Sequence, residues 1–269
     1  MKKLIVLCGT KQSGKTSSAA VFMGYYLTQI GVIPNFNISP NNEIYITHED
    51  KKFDFDIESQ DPAMKNWLND VVYPHVKNVG FADTLKEVVS KQFGISEHLM
   101  WGTNEEKNSP THIELDNIRP LLSEKRREEF SEVENRPVTI RELLEIFGTD
   151  ICRRIDPECH IRSAFNNLER SGTEIGIITD CRFANEFNYC KNFKRKNKGV
   201  KCKLIKLDRR PFSSNAESEQ GLPEINDKQY DHVFYNKEIS FTDKSQEVIN
   251  YFIETNFLAV SNVKVQHAG

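Results

Sequence analysis

The run Lys3-Leu4-Ile5-Val6-Leu7-Cys8 passes without a break into Gly9-Thr10-Lys11-Gln12-Ser13-Gly14-Lys15-Thr16. Its first half is short and apolar, the pattern of a buried strand. Its second half has the spacing G-x-x-x-x-G-K-[ST]. From Lys15 onward Ala19, Phe22, Met23, Tyr26 and Ile30 recur at helical spacing, which predicts a helix closed by Gly31 and Pro34. Glycines let such a turn fold tightly, so that successive N–H groups converge on phosphate oxygens. The positive end of the following helix adds to that field. In this context Lys15 reaches the β- and γ-phosphates of ATP and the Thr16 hydroxyl ligates Mg²⁺. Lys11, Gln12, Ser13, Gly14 and Ser17 complete the expected ATP-binding loop.

Outward from this loop the pattern alternates. Strands are expected at Val76–Phe81, Glu174–Thr179, Cys202–Leu207 and His232–Tyr235, and helices near 84–93, 140–148, 157–169, from 183, and 244–255. Alternation of this kind argues for an α/β fold, a parallel sheet flanked by helices on both faces. The expectation is one domain over residues 1–257, with insertions at about 31–75 and 96–136 and a tail from 258. The first insertion carries a candidate hairpin, Ile44–Ile46 with Phe53–Ile57.

The chain has 269 residues, of which 38% are hydrophobic, and 36 Lys and Arg stand against 39 Asp and Glu, a net charge of −3. That supports a folded core and gives no general basic coat for nucleic acid. The stretch Lys191–Lys203 holds seven Lys or Arg, which a solvated helix end explains. No stretch approaches the roughly 20 apolar residues of a membrane span, and the five-residue apolar run near the start is too short for a signal peptide. A soluble, cytoplasmic protein is expected. The six cysteines show no C-x-x-C spacing, so they read as reduced, buried thiols and not as a metal site. Oligomeric state stays open, a homodimer included.

A G-x-x-x-x-G-K-[ST] loop serves kinases, GTPases, motors and pumps alike. A guanine-specifying Asn-Lys-x-Asp is missing, since neither Asn197-Lys198 nor Asn236-Lys237 has the Asp. Ile177-Ile178-Thr179-Asp180 is followed by Cys181-Arg182 and lacks the adjacent Glu by which many ATPases activate water. A small-molecule kinase fits better, with an ATP-binding protein lacking kinase activity as the alternative class. Asp180, Arg182 and Glu186 fall where a strand runs into a helix, the end of the sheet at which ligands gather. There Asp180 could hold Mg²⁺, although a helix cap and a surface Arg–Glu pair would leave the same letters. Asp83 and Lys86 occupy another strand–helix junction, where a carboxylate and a lysine could bind the acceptor, although a mere N-cap at Asp83 and a solvated first-turn lysine at Lys86 would leave the same letters. Arg141 lies off its helix's apolar stripe, and Asp150 with Arg153 follows that helix; a guanidinium there suits a substrate phosphate. Arg209, Arg210 and Glu219 lie in a polar stretch from Asp208 to about Lys228 that suits a lid excluding water from the transferring phosphate.

These segments in this order, namely the Gly9–Thr16 loop, Phe81-Ala82-Asp83-Thr84-Leu85-Lys86, Arg141 to Asp150, Asp180-Cys181-Arg182 with Glu186, and Ala216 to Pro223, resemble the phage and viral deoxynucleoside monophosphate kinases. The resemblance implies a P-loop kinase fold, with insertions, and transfer of the ATP γ-phosphate to a deoxynucleoside monophosphate. It also implies that Asp180, Arg182 and Glu186 lie at the acceptor, supported by Arg141 and the Gly148-Thr149-Asp150 junction. Ala216 stands where some members carry a histidine, so no role for that histidine carries over. The Ala216–Leu222 segment is also similar to animal phosphomevalonate kinases, whose acceptor is a monophosphate but not a nucleotide.

Overall fold

A computed structural model describes residues 1–10, 12–39, 41–48, 51–209, 225–236 and 240–257. Lys11, Arg210, Glu219, most of the expected lid and the tail from 258 lie outside the described residues. The described chain divides into two compact units, one of 1–59, 63–78 and the residues from 171 onward, the other of 60–62 and 79–170.

The first unit carries β1 (Lys3–Cys8), α1 (Lys15–Gln29), β2 (Asn37–Ile38), β3 (Ile44–His48), β4 (Lys51–Asp54), α2 (Pro62–Trp67) and β5 (Val76–Val79). The second unit interrupts it with α3 (Asp83–Phe93), α4 (Glu97–Trp101), α5 (Asn104–Lys107), β6 (Pro110–Glu114), α6 (Leu115–Ile118), α7 (Glu124–Glu129), β7 (Pro137–Thr139), α8 (Ile140–Glu145), α9 (Arg153–Ile155) and α10 (Cys159–Ser171). The chain then returns to the first unit with β8 (Ile175–Cys181), α11 (Ala184–Lys196), β9 (Lys201–Arg209), β10 (His232–Asn236) and α12 (Phe241–Glu254).

The α/β expectation holds: a five-stranded parallel sheet in the order β10-β9-β1-β8-β5 is flanked by helices. Because side chains alternate across a strand, Ile5 and Leu7 of β1 share one apolar core with Ile177, Ile205 and Phe234, and that core takes in Phe22 and Met23 of α1 and Val248 and Phe252 of α12. Leu4, Val6 and Cys8 are also fully or nearly fully buried. On their face lies α11, whose buried Phe187 ring sits 4.8 Å from that of Tyr230. Four buried thiols, Cys8, Cys181, Cys190 and Cys202, lie within electrostatic reach of one another there. Burial pushes the Cys181 and Cys190 thiols well up and that of Cys202 up to about 12. These four thiols fill apolar space, whereas Cys152 and Cys159, also expected to be buried, are half-buried.

β1 is the central strand. From it the chain goes out to the edge at β5, returns to β8, and then crosses β1 to reach β9 and β10. The order therefore reverses around β1, the position at which open α/β sheets leave a crevice at the carboxyl ends of their strands.

Several boundaries differ from expectation. Asp208 and Arg209 belong to β9 and not to the following loop. The hairpin in the first insertion pairs β3 with β4 and adds β2 as a third strand. The second insertion does not stand alone: β6 pairs with β7, and its Met100, Leu115 and Leu122 share a core with Val138 and Leu143. The helix beginning at Ile140 does not stop at Gly148 but continues as a π-helix over Ile146–Cys152. A Cβ at Gly148 would lie 2.7 Å from Leu85 Cδ2, so the glycine lets that side chain approach the helix closely. Segments 79–95 and 137–170, expected in the core domain, join 96–136 in the second unit.

Candidate nucleotide site

The loop between β1 and α1 is tied to the sheet at its start. Gly9 N–H donates to Cys181 O at 3.2 Å, which ties the start of the loop to the end of β8. Gly9 has φ +153°, and a Cβ there would stand 2.6 Å from Leu207 O and 2.7 Å from Ser13 Oγ, so glycine alone fits. Gln12 takes φ +61°, a left-handed conformation that costs a non-glycine residue free energy and clusters at ligand sites. Gly14, at φ +88°, caps α1 with no side-chain hydrogen bond. The first-turn N–H groups of α1 face no intrahelical acceptors.

Lys15 is folded into this loop. Its ammonium donates to Gly9 O at 2.8 Å, Thr10 O at 2.6 Å and Ser13 Oγ at 3.3 Å, and the residue is 6% exposed. Ser13 is fully buried. Two further polar atoms at the loop and at the end of β8 have no hydrogen-bond partner among the described residues: Thr10 Oγ1 and Arg182 Nε, both buried. A buried donor left unpaired costs about 1–3 kcal/mol, so such atoms mark places where a ligand completes the pairing. Asp180 is half-buried next to the end of β8, one residue before the Cys181 that pairs in register with Cys8.

Glu186 has a local role. Its Oε2 accepts from Arg182 N at 2.8 Å and Phe183 N at 3.0 Å, reaching back over the start of α11 as a third-position glutamate does in a capping box. It thereby fixes the backbone on which Arg182 is mounted. Ser17 sits in the first turn of α1, half-buried. Arg209 closes β9.

Within the second unit Asp83, Lys86, Arg141 and Asp150 each have partners in that unit. Asp83 accepts from Gly80 N at 2.6 Å and pairs with Lys86 at 3.6 Å, and the Lys86 ammonium stands 4.9 Å over the Trp101 ring. Arg141 donates to Asn108 Oδ1 at 3.0 Å and Asn104 Oδ1 at 2.9 Å. Asp150 is 4% exposed and forms an ion pair with Arg126, whose Nε lies 3.0 Å from Oδ2 without the alignment of a hydrogen bond. Arg126 also reaches Glu145 at 3.3 Å. Arg153 is half-buried after the π-helical turn.

Two residues at the loop carry no signal in the sequence. Thr16 Oγ1 donates to Glu58 Oε1 at 3.4 Å, which brings a carboxylate from the first insertion to the threonine expected to ligate Mg²⁺. Lys244 of α12 donates to Ser13 O at 3.2 Å. Both contacts span long sequence separations, and neither residue belongs to a motif. No protein-family model matches this chain, and no curated protein matches its sequence. Among the described residues no helix is long and apolar enough to cross a membrane, and no group of three or more His, Cys, Asp and Glu is placed to hold a metal ion.

Proposed function

We propose that this chain is an ATP-dependent phosphotransferase with the P-loop kinase form of the α/β fold, and that its acceptor is the phosphate of a deoxynucleoside monophosphate. The observation that carries the nucleotide part is the Lys15 ammonium, seated in a glycine-shaped loop at the end of the central strand and held only 2.8 and 2.6 Å from the carbonyls of Gly9 and Thr10. The unpartnered Arg182 Nε at the end of β8, beside that loop in the sheet, supports a second anion there. The acceptor's identity rests on the ordered resemblance to phage and viral kinases.

The donor set fits Mg·ATP. Thr16 and Glu58 offer hard oxygen ligands, and Asp180 is a third candidate from the end of β8. Mg²⁺ supplies charge neutralisation on the phosphates when bound. Lys15 exchanges neutral carbonyl oxygens for anionic phosphate oxygens, a stronger charge-assisted pairing. The first-turn N–H groups of α1 bind the same anion. The γ-phosphoryl group leaves the bridging oxygen of ADP and bonds to an oxygen of the acceptor phosphate. That oxygen is already anionic at neutral pH, so no general base is required. Arg182 neutralises charge on the group in transit, and Glu186 holds its backbone in place.

ADP release from Mg·ATP, measured against the four common deoxynucleoside monophosphates, their ribose counterparts and phosphomevalonate, tests the reading. Stimulation by at least one deoxynucleoside monophosphate is expected. Stimulation by phosphomevalonate alone overturns the acceptor and keeps the kinase. ADP formation that ignores every acceptor overturns the kinase.

A further inference from the structure

At the end of the sheet away from the nucleotide loop, the fold gathers cations that lie far apart in the chain. α11 ends at Lys196 and β9 starts at Lys201, and the turn between them is closed by Val200 N–H donating to Asn197 O at 3.0 Å. Along this turn Arg195, Lys196, Lys198 and Lys201 are all exposed, and none forms an ion pair with a described residue. β1 starts beside them. Lys201 N–H donates to Lys2 O at 3.0 Å, and Lys3 stands directly opposite Lys201 in the pairing of β1 with β9. Lys2 is exposed and pairs with Glu174 at 3.0 Å. Burial pushes the Lys3 ammonium below its usual range, and Lys201 and Lys2 push the same way against the pull of Glu174.

A solvated helix end explains the lysines of α11, because they complement the helix dipole. It does not explain Lys2 and Lys3, nor like charges set opposite each other on neighbouring strands, an arrangement that costs stability. A polyanion laid across this end of the sheet offsets that repulsion. Residues 195–201 contain no aromatic side chain on which an unpaired base could stack. They also expose no large apolar side chain to enter a membrane or anchor a protein partner. Lysines are point charges that suit phosphate oxygens without reading bases. We propose that Lys2, Lys3, Arg195, Lys196, Lys198 and Lys201 form a docking surface for the phosphate backbone of double-stranded nucleic acid. The length of β1 separates this surface from the loop by roughly 17–20 Å. The inference therefore stands apart from the nucleotide reading.

Fluorescence anisotropy of a short labelled DNA duplex, titrated with the full chain over a series of salt concentrations, tests this. Log affinity is expected to fall linearly with log salt, with a slope of about −3 to −4 from the four exposed, unpaired cations. Changing Lys196→Gln, Lys198→Gln and Lys201→Gln together is expected to weaken binding about tenfold to a hundredfold at low salt and to flatten the slope by about 3. Arginine at the same three positions keeps binding near wild type, and thermal midpoints do not fall. Lys51→Gln, Lys91→Gln and Lys228→Gln together remove the same charge from other exposed positions. An equal loss in that control assigns binding to the overall charge and overturns the proposal. So does a wild type that fails to bind duplex at low salt, an unaltered slope in the first triple variant, or tighter binding to single strands or to vesicles of anionic phospholipid. A chain that binds duplex but not ATP upholds this inference and removes the nucleotide reading.

Discussion

The loop after β1 and the unit spanning 79–170 both concentrate charged side chains, and they treat them in opposite ways. Around the loop, Lys15 and Lys244 rest on backbone carbonyls, while Thr10 Oγ1 and Arg182 Nε are buried without partners among the described residues. In the second unit, Asp83 holds Lys86, Arg126 holds Asp150, Arg136 holds Glu142 bidentately at 2.7 and 3.0 Å, and Arg141 is bound by two asparagines. Ion pairs within the second unit help to stabilise it, whereas a buried donor such as Arg182 Nε, with no hydrogen-bond partner among the described residues, carries a cost that a new partner would remove. The same residue types therefore mean different things in the two places.

Removing the loop's cations separates the two regions most strongly. Lys15→Ala and Arg182→Ala are each expected to lower kcat/KM by about a thousandfold, with unfolding midpoints close to wild type. Steady-state ADP formation with a responding acceptor checks this, and near-normal turnover in Arg182→Ala removes its role. Asp150→Asn is expected to behave in reverse. It leaves the Arg126 guanidinium without its buried carboxylate, a loss of about 3 kcal/mol in denaturant unfolding, with ATP affinity unchanged. Full stability with lost acceptor binding would move Asp150 from architecture to substrate.

The smallest effect concerns pH. The hydrogen bond from Arg136 and those from the Thr139 N–H and hydroxyl hold the Glu142 carboxyl below its usual range. Its folded pKa is thus below its unfolded one. The stability it contributes is fully present above the unfolded value of about 4.3 and is lost as pH falls through the folded value. Glu142→Gln is expected to cost about 1 kcal/mol at pH 7, as loss of a helix cap does, and less in strong acid. Denaturant melts at pH 7 and pH 3 measure the difference, and an equal cost at both would assign it to packing.

The sheet was readable from sequence because its strands are short apolar runs, and β1, β8 and β9 fall within two residues of the expected places. The loop was readable because spacing, strand and helix coincide. Gly148 misled for a physical reason: a glycine after Phe147 looks like a helix stop, yet its missing Cβ admits Leu85 while the helix runs on through a π turn. The segment 96–136 was opaque because its helices are four to six residues long, too short for a 3.6-residue period to register. Glu58 and Lys244 were invisible because a contact across 42 or 231 positions leaves no local pattern. The resemblance puts Glu186 at the acceptor, and in the fold its carboxylate also closes the start of α11.

The four buried thiols behind the sheet offer a ruler for the molecule's own opening. Cys8, Cys181, Cys190 and Cys202 are buried, whereas Cys152 and Cys159 are half-buried in the other unit. An alkylating reagent can reach the buried four only when the first unit unfolds, so the slow phase of labelling times that event. A bound nucleotide would lengthen that phase by a factor of one plus the ratio of free nucleotide to Kd, so that thiols packed in the core report on the loop.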